Sequence, residues 1–256
     1  MATVKPAERF DLGGKVALVT GGSRGLGRSM VLAFADAGAD VVIASRKLES
    51  CEAVADEVTS KTGRRALAVR CNVAHWEELQ GLVDTAYGHF EHVDVLVNNA
   101  GMSLPYAELE DVTEEMWDRV VDLNMKGVFR LSVLVGRRML RGSGGSVINV
   151  SSTGSIRPTP WILPYAAAKA GVNSLTVGLA HAFGPSVRVN CIMAGPFFTD
   201  VTRSWDIPAF EERARVAFAL GRGGQPEEVV GAALYFASEA SSFTTGAVLR
   251  VDGGIP

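Results

Sequence analysis

Short apolar runs rich in β-branched residues alternate along this chain with longer amphipathic stretches, and this alternation strongly restricts the possible folds. Seven runs predict strands: Val16–Thr20, Val41–Ser45, Ala66–Arg70, Val93–Val97, Ser146–Ser151, Val187–Ile192 and Ala247–Val251. Helical patterns follow six of them, near residues 25–38, 48–61, 75–89, 113–140, 164–183 and 226–237. Continuously apolar strands are typical of a parallel sheet that is buried on both faces. Strands alternating with helices indicate right-handed βαβ units and therefore a doubly wound α/β sheet.

The composition narrows the classes of function. The 256 residues are 47% hydrophobic, and no Pro/Ser-rich linker divides them, so we expect one domain over residues 1–256. A formal charge of −3 gives no general attraction to nucleic acid or to an acidic membrane. The spacing of the three cysteines and four histidines matches no metal motif, and the odd cysteine count fits a reducing compartment. No apolar run is long enough to cross a bilayer, so we expect a cytoplasmic protein with no metal.

A glycine-rich turn, TGGSRGLG at residues 20–27, follows the first predicted strand and opens the first helix. Its glycines allow backbone N–H groups to approach a pyrophosphate, and the N-terminus of a helix favours an anion. The spacing is GxxxGxG and differs from the GxGxxG of the general dinucleotide fingerprint. Its place between a strand and a helix nevertheless predicts a dinucleotide site.

The end of the second predicted strand indicates which dinucleotide is bound. A NAD site usually carries an acid here for the ribose 2′-hydroxyl, whereas this chain has Ser45 followed by Arg46. Arg24 projects from the glycine-rich turn nearby. Two guanidinium groups without a carboxylate favour a 2′-phosphate, so we expect NADP and regard NAD as the alternative. Both arginines could instead be solvent-exposed residues at helix starts.

Tyr165 and Lys169 are four residues apart in a predicted helix and therefore share one face of it, and Ser152 precedes the tyrosine by thirteen residues. An ammonium about 4 Å away favours a phenolate by on the order of 4 kcal/mol at an effective dielectric of 20. It would thus lower the pKa of the phenol, which is near 10 in free tyrosine. The pattern predicts a phenol that exchanges a proton with a substrate oxygen, and a surface Tyr–Lys pair is the alternative.

Over essentially its whole length, the chain resembles the classical short-chain dehydrogenase/reductase family. Residues 20–27 resemble the family's TGxxxGxG turn, residues 98–101 its NNAG motif, and residues 243–254 its closing strand. The order and spacing of Asn124, Ser152, Tyr165 and Lys169 are similar to its catalytic tetrad. The resemblance implies a single-domain Rossmann fold with seven parallel strands in the order 3-2-1-4-5-6-7 and helices on both faces. It also implies hydride transfer between nicotinamide and a carbonyl or secondary alcohol.

The resemblance further assigns roles to these residues. Tyr165 would be the general acid or base, and Ser152 would orient the substrate oxygen. Lys169 would bind the nicotinamide ribose and lower the pKa of the tyrosine, and Asn124 would hold a water that links this lysine to solvent. The expected cofactor contacts are Gly21, Ser23, Arg24, Gly25, Leu26, Gly27, Ser45, Arg46, Asn72, Val73, Asn98, Ala100, Gly101, Tyr165, Lys169 and Thr199.

Two positions depart from the family's pattern. Asn72 stands where the family often has an aspartate that meets the adenine amino group, and its amide oxygen can accept the same bond. The family's Pro-Gly beside the nicotinamide is replaced by the order Ala194-Gly195-Pro196, so we expect a local difference in the backbone.

The motifs leave the identity of the small-molecule carbonyl or alcohol open. We expect substrate contacts from residues 102–106, residues 153–163 and a substrate loop at about 196–220, which could also be a packed surface excursion. Trp161, Phe197, Phe198 and Trp205 suggest a bulky apolar pocket, and Arg157 or Arg203 could meet an anionic group. A 3-oxoacyl-carrier-protein reductase, a sugar or polyol dehydrogenase and a steroid or xenobiotic reductase remain alternatives. A non-catalytic NADP-binding sensor or scaffold is the alternative from a different class.

The surfaces of two predicted helices indicate self-association. The helices near 113–140 and 164–183 carry apolar residues on more than one side, among them Val128, Val133, Leu175 and Leu179. One side can cover the sheet and the surplus needs a partner, so we expect a homo-oligomer, and the family resemblance implies a homotetramer. Arg137, Arg138 and Arg141 form a basic helix end that could meet an acidic carrier protein, although cations are ordinary at a helix C-terminus.

Overall fold

One sheet of seven parallel strands organises the molecule, and its order is β3-β2-β1-β4-β5-β6-β7. The computed structural model describes residues 6–200, 202 and 205–256. The strands are β1 Val16–Thr20, β2 Asp40–Ser45, β3 Ala66–Arg70, β4 Val95–Asn98, β5 Gly145–Ser152, β6 Val187–Ala194 and β7 Val248–Val251. The predicted strand order and doubly wound α/β fold are therefore confirmed, with strand ends that shift by no more than two residues.

Helices connect the strands and cover both faces of the sheet. They are α1 Gly25–Asp36, α2 Leu48–Thr62, α3 Glu78–Phe90, α4 Glu114–Val121, α5 Gly127–Arg141, α6 Leu163–Phe183, α7 Ile207–Ala217 and α8 Val230–Ala237. Within the described part of the chain, none of these helices has both the length and the apolar composition needed to cross a bilayer.

The sheet separates two apolar cores. Because successive strand residues point to opposite faces, Ala17 and Val19 of β1 pack towards α1, α2 and α8. Val16 and Leu18 of the same strand pack towards α3, α5 and α6. All four side chains are almost completely buried. Burial on both faces explains why the strands are continuously apolar in sequence.

The predicted helix near 113–140 is not one regular α-helix. A π-helical turn, Asp122–Lys126, separates α4 from α5. Immediately after it, Gly127 approaches the backbone of Val73 so closely that an added Cβ would lie 2.1 Å from the carbonyl oxygen. π-Helical turns occur frequently at functional sites, and this one carries Asn124. Hydrophobic periodicity could not reveal the turn because the apolar pattern continues through it.

The segment after β6 is partly helical. It contains α7, whose Phe210 and Phe218 form a small apolar cluster with Ala214. Phe197 forms an isolated parallel bridge with Gly224 and is itself buried in the core. The expected substrate loop at about 196–220 is therefore in part a packed structure, as the alternative interpretation described.

Candidate active site

The glycine-rich turn has a shape that only glycine residues permit. Gly21 and Gly25 have positive φ angles of 64° and 51°, in the left-handed region. A Cβ on Gly27 would lie 2.2 Å from the carbonyl oxygen of Gly21. Helix α1 begins at Gly25, so its first backbone N–H groups face the edge of the sheet. This closely packed turn forms a cradle that suits a dinucleotide pyrophosphate.

Two residues that the sequence analysis did not select hold this cradle in place. Asn99 donates from Nδ2 to the carbonyl oxygens of Thr20 (3.0 Å) and Gly21 (3.2 Å). Thr20 Oγ1 donates to the carbonyl of Val97 (3.2 Å) and accepts from the backbone N–H groups of Asn99 and Ala100. The two strand ends β1 and β4 are thus joined by side chains. Both residues lie within motifs recognised in the sequence, so their place in those motifs could have identified them as site residues.

The predicted residues of the NNAG motif separate into two groups. Asn98 is buried, and its Nδ2 donates to Ser132 Oγ and Asn149 Oδ1, each at 2.9 Å. Its side chain therefore forms hydrogen bonds inside the fold and does not face the edge of the sheet. Ala100 and Gly101 lie at the edge of the sheet, where Ala100 N–H donates to Thr20 Oγ1. Leu26, which was also predicted to contact the cofactor, packs partly against the core beneath the cradle.

The structure places Ser45 and Arg46 at the carboxyl end of β2, next to the cradle. Ser45 Oγ donates to the carbonyl oxygen of Lys47 (3.2 Å) and lies 3.0 Å from the thiol of Cys51. Arg46 is exposed. Arg24 is also largely exposed, and its Nη1 lies 3.7 Å from Oδ2 of Asp200 after β6. The two guanidinium groups thus belong to adjacent strand ends and are open to solvent.

Three further predicted cofactor contacts lie around the same edge. Asn72 and Val73 follow β3, and the preceding Cys71 N–H donates to the carbonyl of Ser45 at 2.9 Å. Thr199 lies against the cradle, because a Cβ on Gly25 would be 3.3 Å from its methyl carbon. The residues predicted for the adenosine half therefore come together at the ends of β1, β2 and β3.

The four residues predicted as catalytic come from three elements. Ser152 ends β5, Tyr165 and Lys169 lie one turn apart in α6, and Asn124 lies in the π-helical turn. Gly101 brings two of them together, because its Cβ would lie 2.8 Å from Asn124 Oδ1 and 3.4 Å from Lys169 Nζ. The structure therefore gathers the predicted tetrad beside the NNAG motif.

Hydrogen bonds hold three of these four side chains. Asn124 Nδ2 donates to the carbonyl oxygens of Met102 and Val120, each at 2.8 Å, and Asn124 Oδ1 accepts from Met102 N–H at 3.2 Å. Lys169 Nζ donates to the carbonyl oxygen of Val150 at 2.8 Å. Ser152 Oγ accepts from the backbone N–H of Gly154 at 3.1 Å.

The expected lowering of the Tyr165 pKa by Lys169 is not observed. Burial raises the pKa of the Tyr165 phenol, and a hydrogen bond with Ser152 opposes that rise only in part. The Lys169 ammonium lies 5.8 Å from the centre of the tyrosine ring and is directed to Val150. Burial also lowers the pKa of Lys169 to about 8. Sequence spacing predicted the proximity of the two groups, but not the greater effect of desolvation.

The residues expected to form the substrate pocket do not form one wall. Phe197 is buried in the core, whereas Phe198 and Trp205 pack around Phe210 with ring centres 5.6 Å and 5.1 Å away. Trp161 is 60% exposed. Arg157 is exposed, and Arg203 lies outside the described residues.

Tyr106, in the first of the expected substrate segments, joins that segment to the second one. Its hydroxyl donates to the carbonyl of Pro160 at 2.6 Å and accepts from Leu163 N–H at 2.8 Å. The sequence predicted residue 106 only as a substrate contact. The structure shows that it also connects the two segments.

Comparisons with known proteins show which proteins this chain is similar to. The model of a family described as enoyl-(acyl carrier protein) reductase matches residues 21–256. A 3-oxoacyl-[acyl-carrier-protein] reductase of Chlamydia trachomatis is 38% identical over 242 residues, which cover 94% of this chain and 97% of the relative. A dehydrogenase/reductase, SDR family member 4, of Bos taurus is 36% identical over 256 residues, covering 99% of this chain and 91% of the relative.

Two solved structures show how far the likeness extends. A 3-oxoacyl (acyl-carrier-protein) reductase from Agrobacterium tumefaciens C58 with NADP bound has a TM-score of 0.92 at 31% identity, covering 99% of both chains. A 7α-hydroxysteroid dehydrogenase complexed with NADH and 7-oxo glycochenodeoxycholic acid has a TM-score of 0.93 at 32% identity, covering 98% of both chains.

The fold and these comparisons together define an oxidoreductase of the Rossmann type. More narrowly, the chain belongs to the short-chain dehydrogenase/reductase family, so the predicted family is confirmed.

Proposed function

We propose that this protein is an NADP(H)-dependent oxidoreductase that interconverts a carbonyl compound and a secondary alcohol, with Tyr165 as the general acid or base. The observation that carries the proposal is the convergence of Asn124, Ser152 and the Tyr165–Lys169 pair at the sheet edge that also forms the glycine cradle. When bound, the nicotinamide supplies or accepts the hydride. The residues of the chain must then bind the substrate oxygen and move its proton.

The geometry supports a separate role for each of the four site residues. Because its pKa is raised, the Tyr165 phenol is protonated at neutral pH and can donate its proton to a developing alkoxide. The hydroxyl of Ser152, which partly offsets the rise in the pKa of this phenol, supplies a second donor for the same oxygen. Lys169 would hold the nicotinamide ribose, and Asn124 would keep the adjacent loop in place through Met102.

The preference for NADP(H) is supported by Ser45, Arg46 and Arg24 around the end of β2. Replacing Ser45 with Asp and Arg46 with Leu introduces a ribose-binding acid and removes a cation, so the ratio of kcat/KM for NADPH over NADH should fall at least tenfold. Arg141→Leu, at the exposed C-terminal end of α5, is the matched control and should leave the ratio unchanged. A wild-type protein that prefers NADH tenfold or more would contradict the preference.

A reductase of 3-oxoacyl carrier proteins is the second candidate within the same chemistry. It is supported by the Chlamydia trachomatis relative and by the basic end of α5. Of the three arginines there, Arg138 pairs with Asp84 and stacks on Tyr87, so only Arg137 and Arg141 are freely presented. Sugar or polyol dehydrogenase and steroid or xenobiotic reductase activities compete with this candidate. The proposed cytoplasmic location is supported by the three buried, free cysteines.

The decisive experiment measures NADPH oxidation with a panel of carbonyl compounds that includes a 3-oxoacyl thioester, a ketose and a steroid ketone. Turnover of one class identifies the substrate, and Tyr165→Phe must abolish that turnover. A protein that binds NADPH yet oxidises it with no member of a broad panel would instead be the non-catalytic sensor or scaffold.

A further inference from the structure

The side-chain amide of Asn72 is held in one orientation. The backbone N–H of Ala74 donates to Asn72 Oδ1 at 3.3 Å, and Asn72 Nδ2 lies 3.0 Å from Nε2 of His75. An amide presents an acceptor at one end and a donor at the other, so its two orientations offer a ligand opposite chemistry. Both contacts select the same orientation, in which the donor faces His75.

Glu78 determines which nitrogen of His75 can accept the bond from Asn72. Glu78 Oε1 lies 2.8 Å from His75 Nδ1, and Glu78 Oε2 accepts from the backbone N–H of Asn72 at 2.8 Å. The bond from Asn72 N–H and then the bond with His75 lower the pKa of Glu78, so the group is an ionised acceptor at neutral pH. A carboxylate only accepts, so in the neutral imidazole it requires the proton on Nδ1 and leaves Nε2 to receive the amide N–H.

The backbone around Asn72 is tied to both neighbouring elements. Cys71 N–H donates to the carbonyl of Ser45, which places Asn72 beside the proposed 2′-phosphate site at the end of β2. Val73 is buried and packs directly against Gly127 at the start of α5. Flipping the amide therefore cannot be compensated by a movement of the loop, and the contacts of the amide control what Asn72 presents.

We propose that Glu78 and His75 are positioning residues that hold the Asn72 oxygen available to the cofactor base and so select a 6-aminopurine over a 6-oxopurine. The inference rests on the proposed NADP(H) function. Asn72 Oδ1 has a second lone pair that can accept from the amino group of adenine. A 6-oxo base presents an acceptor to that oxygen and gains no bond. An amide free to flip would serve either base, so the carboxylate–imidazole pair gives Asn72 the acceptor character that an aspartate has by itself.

Fluorescence titration with NADPH and with reduced nicotinamide hypoxanthine dinucleotide phosphate tests this selection without turnover. The wild type should bind the adenine form about five- to tenfold more tightly, which is the scale of one net hydrogen bond. In His75→Ala this ratio should fall towards unity, because only the longer bond from Ala74 N–H, at 3.3 Å, then holds the amide. Adding Asn72→Asp to His75→Ala should restore the preference, because a carboxylate accepts through either oxygen. His181→Ala, an exposed histidine in the last turn of α6, is the control.

The outcomes separate the inference from the proposed function. If His75→Ala binds NADPH and keeps the wild-type ratio, the positioning role is overturned, as it is if both dinucleotides weaken equally. Failure of Asn72→Asp to restore the ratio also overturns it. A folded wild type that binds neither dinucleotide overturns the proposed function, and the inference with it.

Discussion

At the scale of single residues, desolvation controls the chemistry of the site more than the charged neighbour does. Lys169 is 2% exposed and Tyr165 is partly buried, and burial disfavours the charged form of each. Ser152 is the group that opposes this effect at the phenol. The sequence correctly predicted which residue types would meet, because they belong to motifs. It could not predict their protonation, which depends on atoms from distant parts of the chain such as the carbonyl of Val150.

Replacing Tyr165 with Phe keeps the ring and its packing but removes the proton donor. Carbonyl reduction should fall at least about a hundredfold, the usual scale of general acid–base catalysis, while NADPH affinity changes little. Steady-state kinetics beside a fluorescence titration measures both. Tyr235→Phe is the matched control, because that hydroxyl bonds Thr244 outside the predicted site. If Tyr165→Phe retains more than about half of the wild-type rate, the proposed role is wrong.

The buried ammonium of Lys169 should make stability depend on pH in the protein without cofactor. Its pKa is about 8 in the fold and 10.5 as a free side chain, so between these values the unfolded chain binds more protons. Wild-type stability should therefore rise relative to Lys169→Met across this range. The relative gain is at most about 3 kcal/mol, since one pKa unit corresponds to about 1.4 kcal/mol. Urea unfolding at pH 7, 8.5 and 10 measures it, and parallel pH profiles for the two proteins would contradict the buried charge.

At the scale of elements, close backbone approaches decide where regular structure is interrupted. The strands were predictable because both their faces are apolar, and six helical segments were predictable from their periodicity, one of which the structure divides into α4 and α5. The π-helical turn was not, because the apolar pattern continues through it, and the side-chain bonds of Asn99 were not, because they join strand ends distant in sequence. Two glycines permit close backbone contacts: Gly27 packs against Gly21, and Gly127 packs against Val73. Of these two glycines, only Gly27 belongs to a motif that was recognisable in the sequence.

Gly27→Ala should damage the cradle, because its Cβ would lie 2.2 Å from the carbonyl oxygen of Gly21. We expect NADPH affinity to fall at least tenfold and the midpoint of urea unfolding to decrease. Gly81→Ala is the control, since a Cβ at this exposed position in α3 meets nothing within 4 Å. That substitution should stabilise the protein by about 0.5–1 kcal/mol, the usual advantage of Ala over Gly in a helix. Normal NADPH binding by Gly27→Ala would show that the cradle adapts.

At the scale of the whole molecule, the residues first taken as surplus apolar surface are largely used within the chain. Val128 and Leu179 are buried, and Val133 and Leu175 pack against the core on the face of the sheet that α3, α5 and α6 cover. Other large apolar side chains are exposed instead: Trp117, Phe129 and Val177 on α4, α5 and α6, and Phe243 and Leu249 near and within β7. The proposed homotetramer is thus supported by different residues from those that suggested it.

Light scattering should give a mass near four times 27.1 kDa if the proposed tetramer forms. Phe129→Asp should reduce that mass, because it places a charge in the apolar surface of α5, where Phe129 is 39% exposed. Val216→Asp, on α7 and 75% exposed, is the control that should leave the mass unchanged. A wild-type monomer at micromolar concentration would contradict the proposal.

The two cores on opposite faces of the sheet have a thermodynamic consequence. Cavities opened on different faces, for example at Phe34 in α1 and Leu131 in α5, lie in separate clusters of buried side chains. Their costs in unfolding free energy should therefore add, as for independent sites. The proposed dinucleotide site ends this independence at one edge, since its cradle belongs to α1 and its lysine to α6. A ligand bound across that edge would contact both sides of the sheet, so its binding free energy would stabilise the two cores together.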